Sequence, residues 1–476
     1  MPAEFSDAQV TGLALVVLGV VIAAGWWVRR HVGFLRAVFV PASVVAGFVV
    51  LLAGPQVLGK LTGTQGLFPE PVLDVWRVLP GLMISVVFGA IMIGKTLPRP
   101  RELWHAAAPH AIFGTFLSFG QFALGGLAVL LLLGPVFGLP PEAGSLLEMS
   151  FAGGHGTIAG MGQLLTDAGA GDLVDVGLGL ATISMITGVV GGSLLVRWAV
   201  RSPKVSVMRT TTPSAAEDFD LDHVHPAPAD EHEVEDSGIH ATTIAFALIA
   251  LALALAVALL WGAREVARLL GSDVLDSFPL FPVAVIGGFV VQWVATRTGL
   301  APRIDKRAVD GIAAVALDVL LVCAIGTMSL ATIGSNVPAI LVFTAIGVSW
   351  SLVSLLWWGR RFHRRHWFEH AIADFGQSQG NVATGFVLAD MVDPQRRTGT
   401  ANDYGYKQLP YEPFLGGGIV TALSVPLIGS LGLPVFTAGA VVATVAAGLW
   451  GMLRRTPADG ADAPVTPATG GAAATP

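Results

Sequence analysis

Eleven apolar stretches, each about long enough to cross a bilayer, run through the 476 residues: roughly 8–28, 34–53, 76–95, 108–138, 173–199, 240–262, 279–298, 309–331, 338–358, 413–431 and 433–453. No other feature narrows the fold as much. In hydrocarbon every backbone N–H and C=O must be satisfied within the chain, so repeated spans of helical length call for an all-α polytopic membrane protein. The composition agrees, with 53% of residues hydrophobic and 13% charged, against about 25% charged in soluble domains. The first run is of spanning length and is preceded by acids, so it reads as a retained span and not as a cleavable leader. The single cysteine, Cys323, lies in an apolar run, which excludes an intramolecular disulfide and a zinc cluster built of thiolates.

Lysine and arginine gather in cytoplasmic loops, and this tests the topology. With the N-terminus outside, 23 of the 27 basic residues fall on the inner side, leaving Lys60, Arg77, Arg264 and Arg268 outside. The reading is an external N-terminus and a cytoplasmic C-terminus in the plasma (inner) membrane. Arg360, Arg361, Arg364 and Arg365 set orientation and suit contact with anionic membrane lipid. The net charge of -6 belongs to one stretch, 200–239, rich in acids from Glu217 to Asp236. Its Pro and Ala content reads as a solvated cytoplasmic linker, although His223, His225 and His232 lie among the acids. No basic patch with interleaved aromatics is present, so nucleic acid is not a partner. Residues 456–476 read as a disordered tail.

Two segments differ from the spans. Residues 143–166 and 368–393 are moderately apolar, rich in glycine and polar at their centres, which marks them as re-entrant or broken-helix hairpins. The halves of the chain also echo one another. Pro41, Gly47, Phe48, Val49 and Val50 recur as Pro282, Gly288, Phe289, Val290 and Val291, and Phe151, Gly156 and Ala159 recur as Phe375, Gly380 and Ala383. Five spans before the acidic loop give the halves opposite orientations. The chain thus divides into an N-terminal repeat (1–199), the linker (200–239), a C-terminal repeat (240–455) with an extra span at 433–453, and the tail. Inverted repeats of about five spans, each with a broken helix, are the design of secondary transporters.

Glycine clusters let the backbone leave the helix and expose its polar groups to a ligand. Gly153, Gly154 and Gly156 do this around His155 and Thr157, while Gly380, Asn381 and Thr384 offer similar freedom plus an amide and a hydroxyl. Half-helix N-termini suit a carboxylate, whereas carbonyl ends and hydroxyls suit sodium. His155 either hydrogen-bonds substrate or braces its hairpin. Asp318, in mid-span, reads as an acid on the path of a coupling cation or proton. Asp374 and Asp390 flank the second hairpin, as sodium ligands or as solvated acids.

FAGGHGTIAGMGQLL, the following ATISMITGVVGG and the early FVPASVVAGFVVLLAGPQVLG resemble the sodium/glutamate symporter family of bacterial inner membranes, GGHGT being the specific part, over about residues 34–430. The resemblance implies a homodimeric carrier of two inverted five-span repeats that moves glutamate with sodium and needs no other cofactor. It puts Gly153, Gly154, His155, Gly156 and Thr157 on the family's first hairpin. The second hairpin departs from the pattern: a glycine-rich turn followed by Thr-Pro-Thr-Ala is replaced by Gly380, Asn381, Val382, Ala383 and Thr384. At position 318 an acid stands where the symporters tend to have a small hydroxyl residue, and Asp393 to Pro413 reads as a linker longer than the family needs. The expectation is sodium-coupled symport of glutamate or a related small carboxylate. A proton-coupled transporter or antiporter with Asp318 as carrier is the alternative. A membrane-embedded enzyme is disfavoured, since neither HExxH nor a protease-type pair of intramembrane aspartates appears.

Overall fold

The computed structural model describes residues 6–37, 40–95, 100–202, 240–272 and 275–454; most of the acidic stretch, with His223, His225 and His232, and the tail lie outside the described residues. Every described element is a helix. In chain order these are α1 (Asp7–His31), α2 (Ala42–Thr62), α3 (Glu70–Ala90), α4 (Trp104–Phe137), α5 (Leu146–Phe151), α6 (Gly154–Gly160), α7 (Leu173–Arg201), α8 (Ala241–Leu269), α9 (Phe281–Arg297), α10 (Lys306–Thr327), α11 (Val337–Phe362), α12 (Trp367–Ser378), α13 (Val382–Val392), α14 (Thr400–Tyr411), α15 (Ile419–Leu431) and α16 (Leu433–Leu453). Among the described residues nine helices are long and apolar enough to cross a membrane, and α9, α13 and α15 are shorter apolar ones. Leu131, Trp261 and Val442 stand exposed on their helices, as a lipid-facing surface requires. The chain is a multi-pass, all-helical membrane protein.

The helices sort into two packed groups. α1, α2, α3, α8, α9 and α10 form one, and α4, α7, α11 and the later helices form the other. Small residues make the close crossings within the first group, because helix association in lipid depends on backbone approach. Gly47 of α2 faces Ile325 of α10, and Gly288 of α9 faces the Gly89 carbonyl of α3. The contacts are reciprocal: the second helix of each half rests on the third helix of the other. Gly47 and Gly288 are the two glycines of the repeated motif, so the echo in the sequence corresponds to a shared packing role.

In the second group α4 runs along α16, with Gly126 against Thr437 and Phe116 against Gly448. Helices α12 and α13 fold back on each other, Gly376 meeting the backbone of Gly385, so their connection at 379–381 forms a tip. That tip reaches about half way along α7, where Gln379 packs on Gly188. The segment expected as a linker, Asp393 to Pro413, is largely structure. Its α14 is a helix with Tyr404, Lys407, Gln408 and Tyr411 buried on one face, against α4 and α12. Lys407, counted above among the inner-loop cations, is 1% exposed.

Candidate functional site

Three helix interruptions converge. Gly154 takes φ of +72°, a left-handed conformation open to glycine at little cost, and so breaks the path between α5 and α6. A side chain on Gly154 would come within 2.9 Å of the Gly380 carbonyl, so the α5–α6 and α12–α13 breaks touch. The third break lies between α14 and α15, where Gly416 and Gly417 also have positive φ. Gly416 lies beside the Ala152 carbonyl and Gly417 beside the Thr157 hydroxyl. Sequence reasoning found the first two breaks and missed the third, although its GGG run was visible.

The expected residues of the two hairpins come together at these breaks. Thr157 donates to the Gly153 carbonyl at 2.9 Å, tightening the first turn of α6. Asn381 caps α13, its Oδ1 accepting from the Thr384 N–H at 2.9 Å and lying 3.2 Å from the Thr384 hydroxyl. His155 is buried with Nε2 2.9 Å from the Thr182 hydroxyl. That hydroxyl donates to the Leu178 carbonyl, so it accepts from His155, whose Nε2 carries the proton. The contact is the bracing one, and it leaves Nδ1 as an acceptor. Gly156 packs on Ile84 of α3, and α6 also packs on α7, so α6 joins the two helix groups.

Glu148, which sequence reasoning did not single out, is buried on α5 between the first and third breaks. Its Oε1 accepts from the Gly416 N–H at 3.0 Å and the Thr421 hydroxyl at 3.1 Å, while Oε2 is buried without a protein partner. Gln121 Oε1 and Ser150 Oγ are buried without partners as well. An unpartnered buried acceptor is costly, and all three of these lie on the neighbouring helices α4 and α5. The signal for Glu148 was an acid inside an apolar hairpin, the same signal that drew attention to Asp318.

The other acids have surroundings of their own. Asp318 is half-buried on α10, the helix whose Leu320 lies beside Gly156. Asp390 is paired with Arg396 through two contacts of 3.2 and 3.3 Å. Asp374 is fully buried on α12: its Oδ1 takes the Lys407 ammonium at 2.9 Å, and its Oδ2 faces His110 Nδ1 at 2.7 Å and His363 Nε2 at 3.1 Å. It is therefore no solvated acid at a hairpin end. Residues 376–380, GQSQG, have the G-x-S-x-G spacing of a hydrolase nucleophile, but they end a helix instead of forming a strand-to-helix turn. Ser378 Oγ lies within hydrogen-bond distance of the Phe375 carbonyl and the Ser351 hydroxyl, neither of which is a base.

A polytopic helical protein in which three interrupted helices touch one another has the build of a membrane transporter. The family described as sodium/glutamate symporter matches residues 8–357, nearly three quarters of the chain, and the chain belongs to that family. It is a symporter-type transporter and not an enzyme. The match ends within α11, so the second hairpin, α14 and the glycine-rich third break lie beyond it. No curated protein matches the chain.

Proposed function

We propose that the protein takes up glutamate or a related small carboxylate, driven by sodium, with substrate and ion held where the three breaks meet. The observation that carries this reading is the contact of Gly154 with Gly380, flanked by the buried, unpartnered oxygens of Glu148, Gln121 and Ser150. The interrupted backbone around Gly153, Gly154, Gly156 and Gly380, with Thr157, Asn381 and Thr384, supports recognition of the carboxylate; Glu148 supports a cation. Asp374 and Asp390 are already matched by internal cations and are not assigned to sodium. Reciprocal packing of α2 on α10 and α9 on α3 supports two inverted repeats and hence alternating access.

Reconstituted protein tests this directly. An inward sodium gradient at fixed pH is expected to drive accumulation of labelled glutamate. Glu148→Gln is expected to abolish accumulation, and Asp318→Asn to leave it near wild type. Uptake that follows a pH gradient with sodium absent, and is lost in Asp318→Asn, would replace this reading with the proton-coupled alternative.

The same proposal has the N-terminus outside. Arg30 over Trp26, Arg297 over Trp293 and Arg361 over Trp357 lie at helix ends that the charge distribution assigns to the inner side, and aromatic and basic side chains together mark an interface. Single cysteines introduced at 200–239 on a Cys323→Ala background are expected to react only after the membrane is opened. Labelling in intact cells would reverse the topology.

A further inference from the structure

Three histidines from distant parts of the chain meet beside Asp374. His110 lies on α4, His363 follows the end of α11, and His370 lies on α12, one turn before Asp374. His110 and His363 are buried, and His370 is nearly so. The connection from α11 to α12 turns back through His366, whose φ of +43° is one that side-chain-bearing residues rarely adopt, and this brings His363 over His370 with their rings stacked. One ring nitrogen of each histidine lies within 4.8 Å of the others.

The hydrogen bonds narrow which nitrogens are available, and His363, which meets Asp374 through Nε2, offers Nδ1. Asp374 Oδ2 is an acceptor, so a neutral His110 carries its proton on Nδ1 and its Nε2 accepts from His370 Nδ1–H, 2.9 Å away. A metal ion bound between the two takes the place of that proton, which leaves for His370 Nε2 or solvent. An imidazole that donates from one nitrogen to a carboxylate and presents the other as a lone pair is the form in which histidine binds metals. Metal to nitrogen bonds of about 2.0–2.1 Å put adjacent tetrahedral ligands about 3.3 Å apart, so His110 and His370 need part by only a few tenths of an ångström. Donors that are all imidazole nitrogen suit zinc, cobalt or nickel, and not sodium, calcium or magnesium.

We propose that His110, His363 and His370 bind one transition-metal ion of the zinc type, with Asp374 orienting His110 from behind. Three protein ligands leave a fourth coordination position for water or an anion. The ligands come from α4, the α11–α12 connection and α12, so the ion ties an arm of the second hairpin to its neighbours. None of this rests on the transport reading.

The test uses the full-length protein in detergent, stripped with a chelator and titrated with Co²⁺, whose visible absorption reports tetrahedral nitrogen ligation, followed by displacement with Zn²⁺. One equivalent of cobalt should bind, with Zn²⁺ raising the melting temperature. His370→Asn, and His363→Gln separately, should each weaken binding by about a hundredfold or more, beyond the roughly 10–100-fold that losing an orienting partner costs. Absence of cobalt binding by the wild type would overturn the site without recourse to any variant. So would unchanged binding in His370→Asn, which would assign the metal to other histidines such as His223, His225 and His232.

Discussion

Gly154→Val is expected to abolish uptake while the protein still assembles and elutes as the wild type does. Two separate effects act at this one position. The φ of +72° costs a side-chain-bearing residue about 1–2 kcal/mol, and a β-branched one more. Its new side chain would then meet the Gly380 carbonyl, a backbone atom at 2.9 Å that cannot rotate away. Crowding of a tight contact adds about 1–3 kcal/mol. Because each 1.4 kcal/mol is a factor of ten, even Gly154→Ala should slow uptake about tenfold, and valine should remove it. Gly156 provides the contrast. Its φ is ordinary, and a methyl there would press on the flexible end of Ile84, so Gly156→Ala should retain most activity. Labelled uptake in proteoliposomes decides the matter, and activity of Gly154→Val near the wild-type level would separate the Gly154 and Gly380 contact from transport.

The parts of this site that could be read from sequence are those where local chemistry conflicts with its surroundings. Gly153, Gly154 and Gly380 stand out because glycine and polar groups interrupt apolar runs, and the structure uses them to break helices. Asp374 stood out for the same reason, but its partners were invisible. His110 comes from the opposite half of the chain, and no local spacing links it to His363 or His370. The helix α14 was missed because its sequence, TANDYGYKQLPY, is polar and reads as a loop by hydropathy. It is buried because its polar groups are satisfied by other buried polar groups: Tyr404 donates to the Val382 carbonyl, and Gln408 bonds Gln377. The spacing of residues 404, 407, 408 and 411 is that of a helix face, a periodic signal hidden by looking for apolar residues alone. Glu148 was missed by applying the argument from buried acids to spans and not to the hairpin.

The Lys407 and Asp374 pair yields the largest expected effect on stability. The ammonium is held by Asp374 Oδ1 at 2.9 Å and Gln377 Oε1 at 2.7 Å, and it lies 4.2 Å from the centre of the Tyr411 ring. Gly114 of α4 makes the space, since a side chain there would fall 2.7 Å from Lys407 Nζ. Both charges are fully buried, so neither is offset by water when its partner is removed. Lys407→Met, close in length and without charge, should therefore destabilise the protein by about 3–5 kcal/mol, most of it the cost of leaving Asp374 ionised and unmatched. Asp374→Asn should cost a similar amount by stranding the ammonium. The double variant should be less damaged than the two losses summed, by an interaction energy of about 1–3 kcal/mol, because it strands neither charge. Melting temperatures of the four proteins in one detergent measure this cycle. If Lys407→Met melts with the wild type, the ion pair does not hold α14 to the second hairpin, and the attachment must rest on Tyr404, Gln408 and Tyr411, whose contacts do not depend on charge.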